Sequence, residues 1–147
     1  MILLSRRSLL AIAAVVDVAL HARPAPVAAK ALAARHDLPP RHLETMLQDL
    51  VRAGVLKGVR GPRGGYELAR ERRRISAGDV VRAVMNDQDE PDARRSRLVG
   101  EVIEPSVARA SDAFLAVLDN LTVEELCAQA EARGVFDARS GGDDYTI

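Results

Sequence analysis

The chain has 147 residues, and its 21 lysine and arginine residues are balanced by 21 aspartate and glutamate residues. This length suits one domain, or a small domain with an extension, and can bury a substantial core. The composition, 48% hydrophobic and 29% charged, is typical of a folded soluble protein. The single cysteine excludes an intrachain disulfide and any metal site ligated by several cysteines of one chain. With only 3% aromatic residues, a base-stacking platform for single-stranded nucleic acid is not expected.

The zero net charge conceals an uneven distribution of charged residues. Residues 1–85 carry 15 basic and seven acidic side chains, a net charge of +8, whereas residues 86–147 carry six and 14, a net charge of −8. Such an asymmetry suggests a nucleic-acid partner for the basic half. On charge alone, a basic surface that is merely solvated explains the pattern equally well.

The N-terminal segment allows two interpretations. Arg6 and Arg7 precede an apolar run, as in a twin-arginine export signal. Asp17 interrupts that run, and a charge at the centre of a membrane-inserting helix costs about 2.5–3.5 kcal/mol. No stretch reaches the roughly 18–20 apolar residues of a transmembrane helix. We therefore expect a cytoplasmic protein whose first helix is amphipathic, with an apolar face of Leu9, Ile12, Ala13, Val16, Ala19 and Leu20.

The next two segments predict a helix-turn-helix. A short helix spans Val27 to His36, and after a turn a third helix begins at Pro40 and ends near Ala53, before Gly54. The apolar stripe of the third helix contains Leu43, Leu47, Leu50 and Val51. Its opposite face carries Arg41, Glu44, Thr45, Gln48 and Arg52.

The pattern then changes to that of a β-hairpin. Residues 55–60 and 66–69 are β-prone, and the glycine-rich segment 61–65 between them predicts a tight turn. A hairpin with a basic tip directly after a helix-turn-helix is a wing. Its arginine would reach the minor groove or the phosphates while the third helix fills the major groove.

The sequence after the hairpin predicts further helices. A fourth helix starts at Ser76, with Asp79 as its capping partner and an apolar face of Val80, Val81, Val84 and Met85. A polar hinge, residues 86–97, precedes a long helix from about Leu98, in which Pro105 implies a kink or a later start. A capping box, residues 122–125, opens a last helix that ends near Gly134. We divide the chain into a winged helix-turn-helix domain (1–85), the hinge (86–97), dimerisation helices (98–134) and a disordered tail (135–147).

The long helix has either its own domain or a second copy of itself to pack against. We favour the second copy, because two-fold dimers are the commonest soluble oligomers, and a two-fold dimer predicts a palindromic DNA site. The interface would contain Val107, Ala110, Phe114, Val117, Leu118 and Leu121.

Four stretches together resemble the Rrf2 family of bacterial winged helix-turn-helix regulators, which includes iron–sulfur and nitric-oxide sensing repressors. They are Asp17 to His21, Leu43 to Leu56, Arg60 to Ala69, which is the wing and the most specific motif, and Asn120 to Leu126. The resemblance implies a mainly α fold with a small β-hairpin and a homodimeric transcription regulator, usually a repressor. It also implies a base contact for Glu44 and a minor-groove contact for Arg60.

Further DNA contacts follow from position alone. Helix geometry adds Arg41, Thr45 and Gln48, and the turn adds Arg63. Within the wing we include Gly64, Gly65 and Tyr66, and at the N-terminus Arg6 and Arg7 are candidates for phosphate contacts. Each of these residues could instead be an ordinary surface residue.

The sequence departs from the family where many members carry three cluster-ligating cysteines. Residues 86–97 contain none, so we expect no iron–sulfur cluster and no other cofactor. The three histidines lack ligand spacing, so we expect no metal site, and Cys127 is expected to pack as a small hydrophobe, with redox sensing left open. No motif indicates an enzyme. The alternative function is a protein-interaction module, exported or cytoplasmic, that docks through the long helix without binding DNA. The effector stays unknown.

Overall fold

The computed structural model describes residues 4–85 and 96–137. Six helices and one hairpin follow in chain order: α1 (Arg6–His21), α2 (Ala29–His36), α3 (Pro40–Arg52), β1 (Leu56–Val59), β2 (Gly65–Leu68), α4 (Ala77–Val84), α5 (Glu104–Asp119) and α6 (Val123–Ala132). A 3-10 turn (Arg72–Arg74) precedes α4, and a π-helical turn (Val99–Ile103) leads into α5. The expected hinge falls largely on residues outside the described part of the chain.

The helix boundaries follow from local capping. The Ser5 hydroxyl accepts from the Ser8 N–H at 3.1 Å and begins α1. Ser76 and Asp79 cap α4 reciprocally at 3.0 Å each, as predicted. The Thr122 hydroxyl accepts from the Glu125 N–H at 3.1 Å and begins α6. α3 starts with Pro40 at its first position and is followed by Gly54 at φ 77°, a left-handed conformation that favours glycine.

One core joins the elements of the basic half with α6. Ala11, Val15 and Val18 of α1 are fully buried against a set of side chains from the other elements. That set is Leu32, Leu43, Met46, Leu47, Leu50, Val55, Leu56, Ile75, Val80, Val84, Val123 and Cys127. The acidic last helix is therefore part of the same core as the basic helices, although the sequence separates them by the hinge.

Three of the predicted apolar faces need correction. In α1 the fully buried stripe is Ala11, Ala14, Val15 and Val18, because α4 and α6 pack on that side of the helix. Leu9 of the predicted face is instead 40% exposed. Val51 is 38% exposed, whereas Met46 is buried in its place, because residues 43, 46, 47 and 50 already form the inward stripe of α3. Met85 is 51% exposed because α4 ends at Val84 and the backbone of Met85 is already extended. Pro105 lies in the first turn of α5, which begins at Glu104, so the later start is the one of the two expected outcomes that the structure shows. A proline fits this position because the first residues of a helix have no intrahelical acceptor for their N–H groups.

A backbone bridge anchors the hairpin to the segment that precedes α2. β1 and β2 are antiparallel, with Leu56 opposite Leu68 and Gly58 opposite Tyr66. Tyr66 also exchanges backbone hydrogen bonds with Val27, at 2.8 and 3.0 Å, just before α2. The predicted second helix therefore begins later than expected, since Val27 belongs to this bridge. Helices α2 and α3 and the hairpin form one connected unit.

Candidate DNA interface

The outward face of α3 carries the polar residues that the sequence placed there. Arg41, Glu44, Thr45 and Gln48 are all exposed. The Thr45 hydroxyl donates to the Arg41 carbonyl oxygen at 3.4 Å, a contact within the helix. The structure records no side-chain hydrogen bond or ion pair for Arg41, Glu44 or Gln48 within the described ranges. These side chains are available to an external partner such as the edges of bases.

The tip of the hairpin holds two arginines that are also exposed and have no side-chain partner among the described residues. Arg60 and Arg63 are exposed, and neither forms an ion pair with another residue described in the structure. Gly61 lies between them at φ 115°, a conformation that other residues rarely adopt. The turn therefore presents two guanidinium groups on a thin loop, directly after the α3 unit.

The neighbouring wing residues have structural roles that the sequence did not reveal. A β-carbon on Gly64 would meet the Val59 carbonyl oxygen, and one on Gly65 would meet the carbonyl oxygen of Val27. Tyr66 is half-buried and packs against the core. Gly64, Gly65 and Tyr66 thus hold the wing against the domain, whatever their contribution to DNA binding.

The two N-terminal arginines differ in their surroundings. Arg6 is exposed at the first position of α1. Arg7 instead donates from Nη2 to the Asp49 carboxylate of α3 at 2.5 Å. Because Asp49 engages the Arg7 guanidinium group, Arg7 is less available than Arg6 for the expected contact with a DNA phosphate.

A buried ion-pair cluster joins α1 to α2, the first helix of the helix-turn-helix. The Asp17 carboxylate is fully buried and accepts two hydrogen bonds from Arg35, at 2.7 Å each. His36 Nε2 lies 2.8 Å from Asp17 Oδ2, and His21 Nδ1 lies 3.1 Å from Asp17 Oδ1. Burial alone would raise the pKa of Asp17, but the hydrogen bonds from Arg35 and His36 and the nearby charges hold it below its ordinary value.

The same cluster involves the segment after α6. The Phe136 ring meets the His21 ring edge-on at a centroid distance of 4.8 Å and the His36 ring at 6.4 Å. The ordered chain therefore extends past residue 135, where we expected the disordered tail to begin, because an aromatic side chain packs there. Residues 138–147, the remainder of that expected tail, lie outside the described part of the chain. The histidines are side chains of a charged cluster, and the described residues include no group of three or more metal-ligating side chains suited to an ion.

The predicted dimer residues lie on α5 and, for Leu121, directly after it, apart from the outward face of α3. Arg82 of α4 binds Asp119 in a bidentate ion pair, at 2.5 and 2.9 Å, so the second half of α5 packs on its own domain. Phe114, Leu118 and Leu121 are accordingly half-buried. Val107 and Val117 are 59% and 70% exposed, and Ala110 is exposed. Part of the long helix thus packs on its own domain, which is one of the two expected arrangements, and part of it remains exposed.

The comparisons with known proteins fit the architecture. A family model described as Rrf2, an iron-dependent transcriptional regulator, matches residues 4–129. The chain belongs to the Rrf2 family. This confirms the resemblance and the mainly α, winged fold. Rrf2 proteins are regulators, so the expectation of a transcription regulator rather than an enzyme is confirmed as well.

Several relatives can be named. The chain is 32% identical over 131 residues to the HTH-type regulator IscR of Pectobacterium atrosepticum, covering 86% of this chain and 80% of that protein. It is 31% identical to CymR of Bacillus subtilis, with coverages of 72% and 75%. A putative regulator of Synechocystis matches at 38% over 81 residues, and there the matched segment spans about half of each protein, 55%. Among solved structures, IscR of T. potens superposes with a TM-score of 0.69 at 31% identity, covering 88% of this chain and 89% of that one.

The iron named in the family's description prompts a test of the chain's own donors. Its single cysteine, Cys127, is buried in α6. Burial raises the pKa of the Cys127 thiol, against the opposing charge of Arg72. A cluster held by several thiolates of one chain does not fit these residues. Cys127 packs as the small hydrophobe that we expected, and its burial and raised pKa disfavour redox sensing.

No helix in the described part of the chain combines the length and the apolar character that crossing a membrane requires.

Proposed function

We propose that the chain is a cytoplasmic, homodimeric repressor that binds a palindromic site on double-stranded DNA without an iron–sulfur cluster. The observation that carries this proposal is the pairing of two exposed elements. On α3, the side chains of Arg41, Glu44 and Gln48 have no intramolecular partner among the described residues, whereas Thr45 and Arg52 make contacts within the helix. Arg60 and Arg63 at the wing tip are likewise unpaired within the described ranges, and both elements belong to one connected unit. Polar side chains on a helix suit the major groove, and a slim basic loop suits the adjacent minor groove or the phosphates.

The dimer is supported by the open face of α5. Leu98, Val102, Ile103, Val107 and Val117 are all large, apolar and between 43% and 70% exposed. Leu98, Val102 and Ile103 lie at the turn that leads into α5, and Val107 and Val117 lie on α5 itself. Together these exposed apolar side chains mark an interaction surface. A two-fold axis through this face would present two α3 helices to one DNA duplex, which requires inverted half-sites about one helical turn apart.

Two substitutions test the DNA-binding part by fluorescence anisotropy with labelled duplexes. Arg60→Ala is expected to weaken binding to every duplex by a similar factor and to make the salt dependence shallower by about one unit if it removes one phosphate contact. Glu44→Ala is expected to relax the preference for the best duplex over base-substituted ones, because a carboxylate on α3 accepts hydrogen bonds from cytosine amino groups.

The matched control is Arg133→Ala, which removes an exposed arginine outside both elements. It should leave affinity and preference unchanged. If Arg60→Ala and Glu44→Ala both bind the best duplex as the unaltered protein does, then α3 and the wing are not the reading surface and the proposal fails.

A further inference from the structure

A cavity of about 500 Å³ lies between the start of α1 and the start of α3. Leu43 and Met46 of α3 form its buried floor, and the half-buried Leu10 and Leu38 form its sides. Pro39 closes the end at the turn of the helix-turn-helix. The wall is therefore largely apolar, and its volume falls in the range of small-molecule sites, roughly 300–1,000 Å³.

The rim of the same cavity is cationic. Arg6, Arg7 and His42 line it, with Asp37 as the one acidic residue. Arg6 and His42 are exposed, and the structure gives neither side chain an ion pair or hydrogen bond inside the described ranges. The rim therefore offers hydrogen-bond donors that no described residue occupies.

Arg7 has an unused donor of its own. Its Nη2 atom is bound to Asp49, but its Nε atom is buried and has no hydrogen-bond partner among the described residues. A buried donor without an acceptor is unfavourable and uncommon in folded proteins. Arg7, which lines the cavity, therefore keeps one donor that the described residues do not satisfy.

We propose that this cavity binds a small apolar monocarboxylic acid. The alkyl or aryl part would cover the leucine and methionine wall, and the carboxylate would lie at the arginine rim, where charge-assisted hydrogen bonds are strong. An inorganic anion would leave the wall uncovered, and a neutral hydrocarbon would leave the cations unpaired. An apolar monocarboxylic acid uses both the apolar wall and the cationic rim.

The proposal extends to regulation, and in that part it rests on the proposed function. Arg6 is an expected phosphate contact, and His42 lies in the first turn of the recognition helix α3, beside Arg41. A carboxylate at the rim would compete with a DNA phosphate for the same side chains. The acid is then an inducer that releases DNA, and by linkage DNA lowers the affinity for the acid by the same factor.

Calorimetric titration of the free full-length protein with octanoate and with 3-phenylpropionate tests the cavity directly. Saturable binding of one acid per chain is expected. Octanamide keeps the chain without the charge, acetate keeps the charge without the chain, and both are expected to bind at least tenfold more weakly. Saturable binding of neither acid overturns the proposal, as does equal binding of octanoate and octanamide.

Leu10→Phe places a larger side chain in the cavity and is expected to weaken acid binding at least tenfold. Leu38→Asn, which makes the wall polar, serves the same purpose if Leu10→Phe fails to fold. Arg23→Gln, at the other end of α1 and outside this cavity, should leave acid binding unchanged. Unaltered binding by a folded cavity variant overturns the assignment to this cavity.

Repeating the DNA anisotropy titration with saturating octanoate tests the regulatory part separately. A lower DNA affinity is expected, matched by the fold-change in octanoate affinity when DNA is present. Acid binding without any change in DNA affinity overturns the inducer role alone. A protein that binds the acid and no DNA at all contradicts the proposed function and leaves the cavity assignment standing.

Discussion

At the scale of single residues, Asp17 has the largest structural consequence. In the sequence it is the charge that argues against an export signal. In the structure it joins α1 to α2 through Arg35 and His36. The sequence could not predict these contacts, because the partners lie 18 and 19 residues away and meet Asp17 only when α2 packs on α1. The amphipathic spacing predicted the helix but not the ion pair that positions its neighbour.

Asp17→Asn is expected to lower the free energy of unfolding by about 3 kcal/mol. This is the lower end of the cost of removing one partner from a buried ion pair, since the Arg35 side chain is 34% exposed and still reaches water. Urea unfolding followed by circular dichroism measures the loss. The control is Asp37→Asn, an exposed residue at φ 51°, a conformation that asparagine also tolerates; its effect should stay within about 0.5 kcal/mol. Equal effects of the two substitutions would contradict the role of Asp17.

We also expect the stability difference between the unaltered protein and Asp17→Asn to depend on pH. Because the pKa of Asp17 is lower in the folded than in the unfolded state, its contribution to stability is present above the unfolded value, about 3.9. That contribution is lost as the pH falls from there through the folded pKa. The difference in unfolding free energy between the unaltered protein and Asp17→Asn should therefore shrink as the pH falls below about 4. A difference that grows on acidification would show that the network does not favour the ionised carboxylate.

At the scale of elements, the wing depends on close backbone approach. Gly65 of β2 lies against the Val27 carbonyl, where a β-carbon has no room, whereas a β-carbon on Gly58 of β1 meets nothing within 4 Å. Gly65→Ala is expected to cost about 1–3 kcal/mol of stability and to weaken DNA binding, because the wing must move from its position. Gly58→Ala, in the paired strand, should change stability by less than about 0.5 kcal/mol. Thermal unfolding measures the stability of both variants, and fluorescence anisotropy measures their DNA binding. If Gly65→Ala changes neither, Gly65 does not anchor the wing in this way.

Most elements were predictable because their signals are local. Proline at the start of α3, glycine after it and the Ser76–Asp79 cap are short-range features, and the helices begin and end where these residues predict. The polar face of α3 followed from helical periodicity in the same way. Two features depended on tertiary packing instead: the burial of Met46 in place of Val51, and the cavity beside Arg7. Periodicity assigns a residue to a face, but neighbouring helices decide how much of that face is covered.

At the scale of the whole molecule, the two halves of opposite charge share one core through α6, while α5 keeps an exposed apolar face. Val107→Asp on that face is expected to turn the proposed dimer into a monomer, because it would bury a charge at an apolar interface. Light scattering coupled to size-exclusion chromatography measures the mass. Ala116→Asp is the control, since it lies on the same helix nine residues on, about half a turn out of phase with Val107. A dimer that survives Val107→Asp would place the interface elsewhere.

The arrangement of the two DNA-reading units tests the whole account. We propose that the full chain, incubated with a random duplex library and sequenced after several rounds of selection, enriches one site. The expected site contains two inverted half-sites whose centres lie about one helical turn, 10–10.5 base pairs, or a multiple of it apart. Enrichment of a single unrepeated half-site, or of no sequence at all, would contradict it.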